Sequence, residues 1–407
     1  MEWKETHLGL ISESIQTGPF GSQLHQYDYS EKGTPVIMPK DMIGSSLIED
    51  SIARISNNHV QRLKKHIVKT GDIIYSRRGD VGRCVLISSK ENGWICGTGC
   101  LKVTLDIKKV VPSFIFYVLQ RKESVEWVEN HAVGATMPNL NTGILSSLPI
   151  VIPPRSTQQM IVSILSNYDT LIDINTKRIK LLEESAHELY KEWFVRMRFP
   201  GYEQTKFVKG IPEGWKLYSI QELCDINTNT FNSKNKLEII HYLDTGSITD
   251  NSITDFVDIA FAEAPSRARR VAKHNSILFS MVRPNLRHWG ILKNPVENTI
   301  VSTGFVVLDC KYNIANIVYN FISSDEIVDY CQNIAEAAVA TYPSIKPEEI
   351  ARLKIALPPI HIAEELNEKI ETFISEQKNL QLQNQNLAAT RDRLLPRLLS
   401  GELKVKT

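Results

Sequence analysis

The chain of 407 residues has six cysteines, Cys84, Cys96, Cys100, Cys224, Cys310 and Cys331, and no Cys-x-x-Cys pair among them. Cys96 and Cys100 are closely spaced but lack a second pair to complete a zinc site, so reduced and mostly buried thiols are expected. An excess of one charge is lacking as well. The 47 Lys and Arg against 46 Asp and Glu leave a formal charge of +1, which excludes a uniformly basic coat. Any nucleic-acid contact must then come from charge sorted onto one face. No stretch approaches the roughly 18 apolar residues of a membrane span, and MEWKETHLGL carries two acids with no signal-peptide core. A cytoplasmic location is expected. Catalytic signatures are also missing: there is no GxxxxGK[ST] loop, HExxH, GxSxG elbow, nucleophilic-cysteine pattern, Asn-Pro-Pro-aromatic or Asp-Pro-Pro-Tyr segment, or acid cluster of a nuclease. The ten histidines are scattered and predict no metal site.

What is present is apolar mass, 42% of residues, enough for two or three cores, and a repeat. Sliding the chain on itself by about 205 residues aligns separated segments. WKETHLGLI from Trp3 meets GWKLYSIQEL, with its tryptophan at Trp215; GDIIYSRRG from Gly71 meets NSILFSMVRP from Asn275. Both members of the second pair read as buried strands ending in Ser and then arginine. WICGTGCLKVTLD from Trp94 meets TIVSTGFVVLD from Thr299, and the shared Thr-Gly suggests a bulge or a close backbone approach. GATMPNLNTGILSSLPIVIPP from Gly134 meets VATYPSIKPEEIARLKIALPP from Val339, each closing on a proline pair, Pro153-Pro154 and Pro358-Pro359, that stops a strand and opens a helix.

After each proline pair runs a heptad seam. The first is Leu165, Tyr168, Ile172, Asn175, Ile179, Leu182, Ala186, Leu189 and Trp193; the second is Ile370, Phe373, Gln377, Leu380, Asn384, Leu387, Arg391, Leu394 and Leu398. Each seam predicts a helix of about 40 residues, or about 60 Å, longer than its own globular unit can cover. If the seams bury each other, the helices run antiparallel and the repeat acquires a pseudo-twofold axis. Pro396 should kink or end the second helix. The expected fold is therefore α+β: two similar mixed units and two long antiparallel coiled-coil helices, with boundaries at 1–152, 153–200, 201–357 and 358–407.

Positive charge is sorted in the repeat. Between Glu263 and Glu297 there is no acid, yet Arg267, Arg269, Arg270, Lys273, Arg283, Arg287 and Lys293 occur with His274, His288 and Trp289. Between Asp50 and Asp72 stand Arg54, Arg62, Lys64, Lys65, His66 and Lys69, followed by Arg77, Arg78 and Arg83. Recurrence in a chain of balanced charge points to phosphate contact, and arginine suits the two acceptors of guanine. The TGPFGS segment, Thr17 to Ser22, has no following lysine and reads as a tight loop rather than a nucleotide cradle.

In GPFGS (Gly18 to Ser22), PVIMPKDM (Pro35 to Met42), GDIIYSRRGDVGRCVLI (Gly71 to Ile87), GTGCLKV (Gly97 to Val103), ATMPNLNTGILSSLPIVIPP (Ala135 to Pro154) and RDRLLPRLLSGEL (Arg391 to Leu403), the chain resembles the specificity subunits of type I restriction-modification systems. The resemblance spans essentially the whole chain. It implies two target recognition domains reading a bipartite site in double-stranded DNA, with the helices as central and C-terminal spacers. It also implies docking of two modification (methyltransferase) subunits that methylate adenine from S-adenosylmethionine, joined by restriction (translocase/nuclease) subunits. This chain itself would hold no cofactor and catalyse nothing. Departures from the family pattern lie after the proline pairs, where Gln158-Gln159 and Glu364-Glu365 alone keep the expected polarity, and at Thr228 to Ser233, where TNTFNS replaces GPFGS. The two units are expected to read different half-sites.

Within that reading the DNA-contacting candidates are Ser22, Gln23, Lys40, Arg77, Arg78 and Arg83 in the first unit, and Arg267, Arg269, Arg270, Arg283, Asn285, Arg287 and His288 in the second. The spacer is expected to set a gap of about half a turn to one turn of DNA between half-sites. Two other classes compete: a tandem-repeat scaffold joining proteins without DNA, and a self-sufficient methyltransferase or nuclease. Salt-dependent duplex binding separates the first competitor, and S-adenosylmethionine binding by the isolated chain would support the second.

Overall fold

A computed structural model describes residues 3–44, 46–49, 52–134, 138–231, 238–338 and 343–405. Ala135, Thr136 and Met137 of the ATMPNL segment, Asn232 and Ser233 of TNTFNS, and Val339 to Tyr342 of VATYP lie outside the described residues. The chain divides into two compact units, residues 1–174 with 383–407, and residues 175–382. Both are α+β and both follow one plan.

In unit 1 the strand Lys4–His7 pairs antiparallel with Pro149–Ile152, so the start of the unit is tied to the strand before the first proline pair. The same ribbon closes unit 2, where Lys216–Ser219 pairs with Lys354–Leu357. Each unit then carries a four-stranded antiparallel sheet. In unit 1 its order is Ser12–Thr17, Cys100–Leu105, Ile73–Ser76, Cys84–Leu86; in unit 2 it is Cys224–Ile226, Phe305–Cys310, Ile277–Ser280, Trp289–Ile291. Ile73–Ser76 and Ile277–Ser280 are buried at every position, as continuous apolar strands with both faces covered must be.

A second sheet holds one parallel pair, Thr34–Ile37 with Ile95–Cys96 in unit 1 and Ile239–Leu243 with Thr299–Ser302 in unit 2. The segments expected to be single strands interrupted by Thr-Gly are thus broken there. Ile95–Cys96 ends, the chain turns at Thr98-Gly99, and Cys100–Leu105 enters the other sheet. The expected close approach supplies the reason: a methyl at Gly97 would meet the Ile37 carbonyl, and Gly99 takes a φ of +85°.

Both proline pairs open helices as expected, Arg155–Phe194 and Ile360–Leu399, each of 40 residues. Every named seam position from Leu165 to Trp193 and from Ile370 to Leu398 is buried or half-buried. In unit 1 the helices run antiparallel: Arg391 pairs with Asp169 at 2.6 Å, and the Asn384 amide donates to the Ile172 carbonyl at 3.4 Å. In unit 2 Arg178 pairs with Glu376 at 3.1 Å.

Residues that keep the expected polarity after the proline pairs fasten the helix starts. Buried Gln158 accepts from the Val111 amide and donates to the Pro153 carbonyl, at 2.9 Å each. In unit 2 Glu364 accepts from the Asn313 amide at 3.1 Å, while Asn367 accepts from Asn316 and donates to Asn313. Pro396 does not break its helix. It sits in the last turn, which ends at Leu399, and Leu398 and Leu399 enter the core of unit 1. There the missing amide of proline costs one hydrogen bond rather than a kink through the helix.

Candidate nucleic-acid interface

The candidate residues of unit 1 come from separate segments that the two sheets draw together. Gly18 donates to the Cys100 carbonyl at 2.9 Å, and the Thr98 hydroxyl donates to the Pro19 carbonyl at 2.9 Å. A methyl at Gly18 would collide with the Gly97 carbonyl, which is why this loop needs glycine at its base. The turn then closes on itself: Gln23 and Leu24 donate to the Phe20 carbonyl, and the Gln23 side chain accepts from the Phe20 amide at 3.1 Å. TGPFGS is therefore a braced tight loop, and Ser22 and Gln23 stand exposed on it.

Lys40 lies exposed in the short turn Pro39–Asp41, capped where the Asp41 carboxylate accepts from the Met38 amide at 2.8 Å. Arg77 leaves the end of Ile73–Ser76; its amide donates to the Gly99 carbonyl at 2.7 Å and its Nε to Asn139 Oδ1 at 3.2 Å. Its guanidinium lies 5.8 Å from the centre of the Phe20 ring. Arg78 is exposed, whereas Arg83 is engaged, donating to the Met42 carbonyl at 2.6 Å and pairing with Asp80. The loops carrying Gln23, Lys40, Arg77 and Asn139 thus converge around Gly97 to Gly99.

Unit 2 repeats the convergence with other residues. Asp244 begins the turn Thr245–Ser247 and pairs with Arg267 at 2.5 Å. A methyl at Gly304 would meet Thr245, and Gly304 accepts from the Met281 amide at 2.9 Å. Arg269 lies 5.4 Å from the Phe261 ring, and Arg270 is half-buried with Nη1 donating to the Asn227 carbonyl at 3.3 Å. Burial lowers the Arg270 pKa.

Arg283 and Arg287 bracket the turn Pro284–Leu286 with φ of +46° and +58°, a left-handed conformation that is uncommon outside glycine, asparagine and aspartate. Arg287 pairs with Asp325, which raises its pKa, and with Asp250 at 3.6 Å. The exposed Asn285 backbone donates to Gln332 at 3.2 Å, and His288 Nδ1 lies 2.7 Å from the Ile248 carbonyl.

The acid-free run in the sequence is therefore not acid-free in space. Arg267, Lys273, Arg287 and Lys293 meet Asp244, Asp309, Asp250 with Asp325, and Glu371 respectively, all from other segments. Lys293 instead meets the helix Ile360–Leu399. It pairs with Glu371 at 2.5 Å inside a network with Asn275 and Asn316, and burial pulls its pKa down. In the first basic stretch Lys64, Lys65 and Lys69 are exposed, but Arg62 pairs with buried Asp28 at 2.9 Å. His66 is half-buried, and burial lowers its pKa, so it adds little charge near neutral pH.

The cysteines are all free thiols, five of them buried; burial pushes Cys84 and Cys96 up to about 12. Among the described residues no group of three or more His, Cys, Asp and Glu is placed to hold a metal, and no helix is long and apolar enough to cross a membrane. Sequence reasoning passed over Phe20, Tyr27 and Asn139. Phe20 and Asn139 stand inside quoted motifs, but the exposure of Phe20 and Tyr27, and the Arg77 that meets both Phe20 and Asn139, belong to the tertiary structure.

A duplicated α+β unit with paired loop clusters and long helices after proline pairs is the class this geometry defines. Comparison with known proteins then gives what the chain is similar to. Residues 1–184 match the type I restriction modification DNA specificity domain. The chain is 24% identical over 398 residues to the type I restriction enzyme MjaIX specificity subunit of Methanocaldococcus jannaschii, covering 91% of this chain and 87% of that one. It is 21% identical to the HindI specificity subunit of Haemophilus influenzae, over 99% of this chain and all of that one. A crystal structure of the type I system S subunit from M. genitalium shares the fold, with a TM-score of 0.62 at 15% identity over 98% and 96% of the two chains. The resemblance read from the motifs is borne out: residues 1–184 carry the match to the DNA specificity domain, the chain over most of its length is similar to type I restriction enzyme specificity subunits, and the fold is α+β as expected.

Proposed function

We propose that this chain is the non-catalytic reader of a bipartite duplex DNA site, with one half read by each unit and the helix pair fixing the gap. One observation carries the reading. The same loop cluster is built twice on the same frame, with different side chains at matching positions. A chain serving one symmetric partner would have no need of that divergence, whereas two half-sites of different sequence require it. Exposed cations at the clusters would meet phosphates and so set position, and side chains on the loops would choose bases. The names of the relatives, specificity subunits of restriction enzymes, support the same reading. Adenine methyltransferase subunits using S-adenosylmethionine would dock on this chain and supply the chemistry, with restriction subunits joining them.

The test is co-expression with the cognate modification subunit and genome-wide mapping of N6-methyladenine. The expected result is a split motif that disappears when this chain is deleted and changes in one half only on Arg283→Gly. A stable complex that leaves no new methylation and shows no salt-dependent duplex binding would return the protein-joining scaffold instead.

A further inference from the structure

The loop Gly18 to Ser30 of unit 1 exposes more aromatic surface than packing explains. Phe20 is 55% exposed and Tyr27 80% exposed, and His25 stacks on Tyr27 with ring centres 5.0 Å apart. Loose backbone is not the cause. The stem is clamped by Gly18 and Pro19 against Thr98 and Cys100, and three hydrogen bonds fix the Phe20 backbone itself. Arg62 adds a further tie by donating to the Gln23 carbonyl at 3.0 Å. A ring held rigidly in water beside the Arg77 guanidinium combines an apolar face with a phosphate-seeking cation. Among the described residues, unit 2 has no such ring in the matching place. Phe231 of the replacement segment is only 1% exposed and packs edge-on against Phe261 with ring centres 4.7 Å apart.

We propose that Phe20 is a stacking wedge: its ring enters the base stack of the half-site bound by unit 1, while Arg77 meets the adjoining phosphate. The inference rests on the DNA-reading function above and adds that only one half-site is distorted by this chain. Apolar side chains inserted at a base step unstack and kink the duplex, and a base already loosened is easier for a methyltransferase to extract. Ser22 and Gln23, on the same turn, would then lie at the groove edge next to the opened step.

The experiment uses the full chain in complex with its modification subunit and duplexes carrying the methylated site, with single 2-aminopurines placed in turn through each half. The wild-type complex is expected to raise emission severalfold at a position in the unit 1 half and beside no base other than the extracted adenine in the unit 2 half. Phe20→Ala is expected to lose the additional rise and bind about tenfold more weakly with an unchanged salt slope, and Phe20→Trp to keep both. Arg77→Met should instead lower the salt slope by about one. Because Phe20 is exposed, an unchanged melting temperature of Phe20→Ala checks that the fold is intact. Retention of the rise in Phe20→Ala, or its absence in the wild type, overturns the wedge. Loss of all salt-dependent duplex binding in the wild type overturns the DNA reading itself.

Discussion

Unit 1 and unit 2 share a frame and differ at its mouth. The hydrogen bond from Arg77 to the Gly99 carbonyl is repeated by Met281 to Gly304, and the Ser76 hydroxyl bond to Arg78 by Ser280 to Val282. The bridge from Arg78 to Asn139 recurs between Val282 and Ser344. These repeats fix the correspondence: Arg77 stands where unit 2 has Met281, Gly79 where it has Arg283, and Asn139 where it has Ser344. Gly79 and Arg283 even share a positive φ, +73° and +46°. Backbone geometry has been kept while side-chain chemistry has changed, which is the arrangement a reader of two different sequences needs. Electrostatics differ as well, since the unit 2 cations are largely met by acids from distant segments while Lys40 and Arg78 of unit 1 face solvent.

The comparison can be broken most severely at the glycine loop stem of unit 1. Gly18→Ala forces a methyl into the Gly97 carbonyl, and we expect a loss of about 3 kcal/mol or more. Hydrogen exchange should show lost protection over 97–105 and unchanged protection over 299–310. An effect spread equally over both units would contradict the correspondence.

Next comes a contact peculiar to unit 2. Lys293→Met leaves Glu371 partly buried without its cation and should cost about 2 kcal/mol in chemical denaturation, less than for a fully buried pair because Glu371 is a third exposed. The double variant with Glu371→Leu should recover most of that loss.

Arg283→Gly should have the opposite sign, stabilising unit 2 by up to about 1 kcal/mol by relieving a left-handed arginine, at the expense of its half of the methylation motif. A smaller effect concerns pH. His66 has its pKa lowered in the folded chain, so below about 6.5 the unfolded chain binds more protons and stability falls until the lower folded value is passed. The melting temperature should therefore drop between pH 7.5 and 5.5, and drop less in His66→Gln.

Much of the fold was legible in the sequence. Periodicity read both helices because a seam of apolar residues every three or four positions has only one use, and the proline pairs marked their first turns. The repeat was legible because strands such as Ile73–Ser76 and Ile277–Ser280, covered on both faces, are apolar up to their closing serine. Basic runs read less well. Lys293 and Arg287 belong to an acid-free stretch, yet each finds its acid across the fold, at Glu371 and at Asp250 with Asp325. Phe20 was legible only as part of a loop motif, since one-letter composition does not tell an exposed ring from a buried one.

What the sequence by itself determined is therefore what depends on local periodicity and on order along the chain: two copies of one α+β plan, two long helices, and the absence of the usual catalytic motifs. The tertiary structure decided which charges stay unneutralised, which loops meet around Gly97 to Gly99 and Gly304, and which of two related phenylalanines faces water. Those properties depend on through-space distances between segments far apart in the chain, such as Arg77 with Phe20 and Arg287 with Asp250, and the folded chain alone fixes those distances.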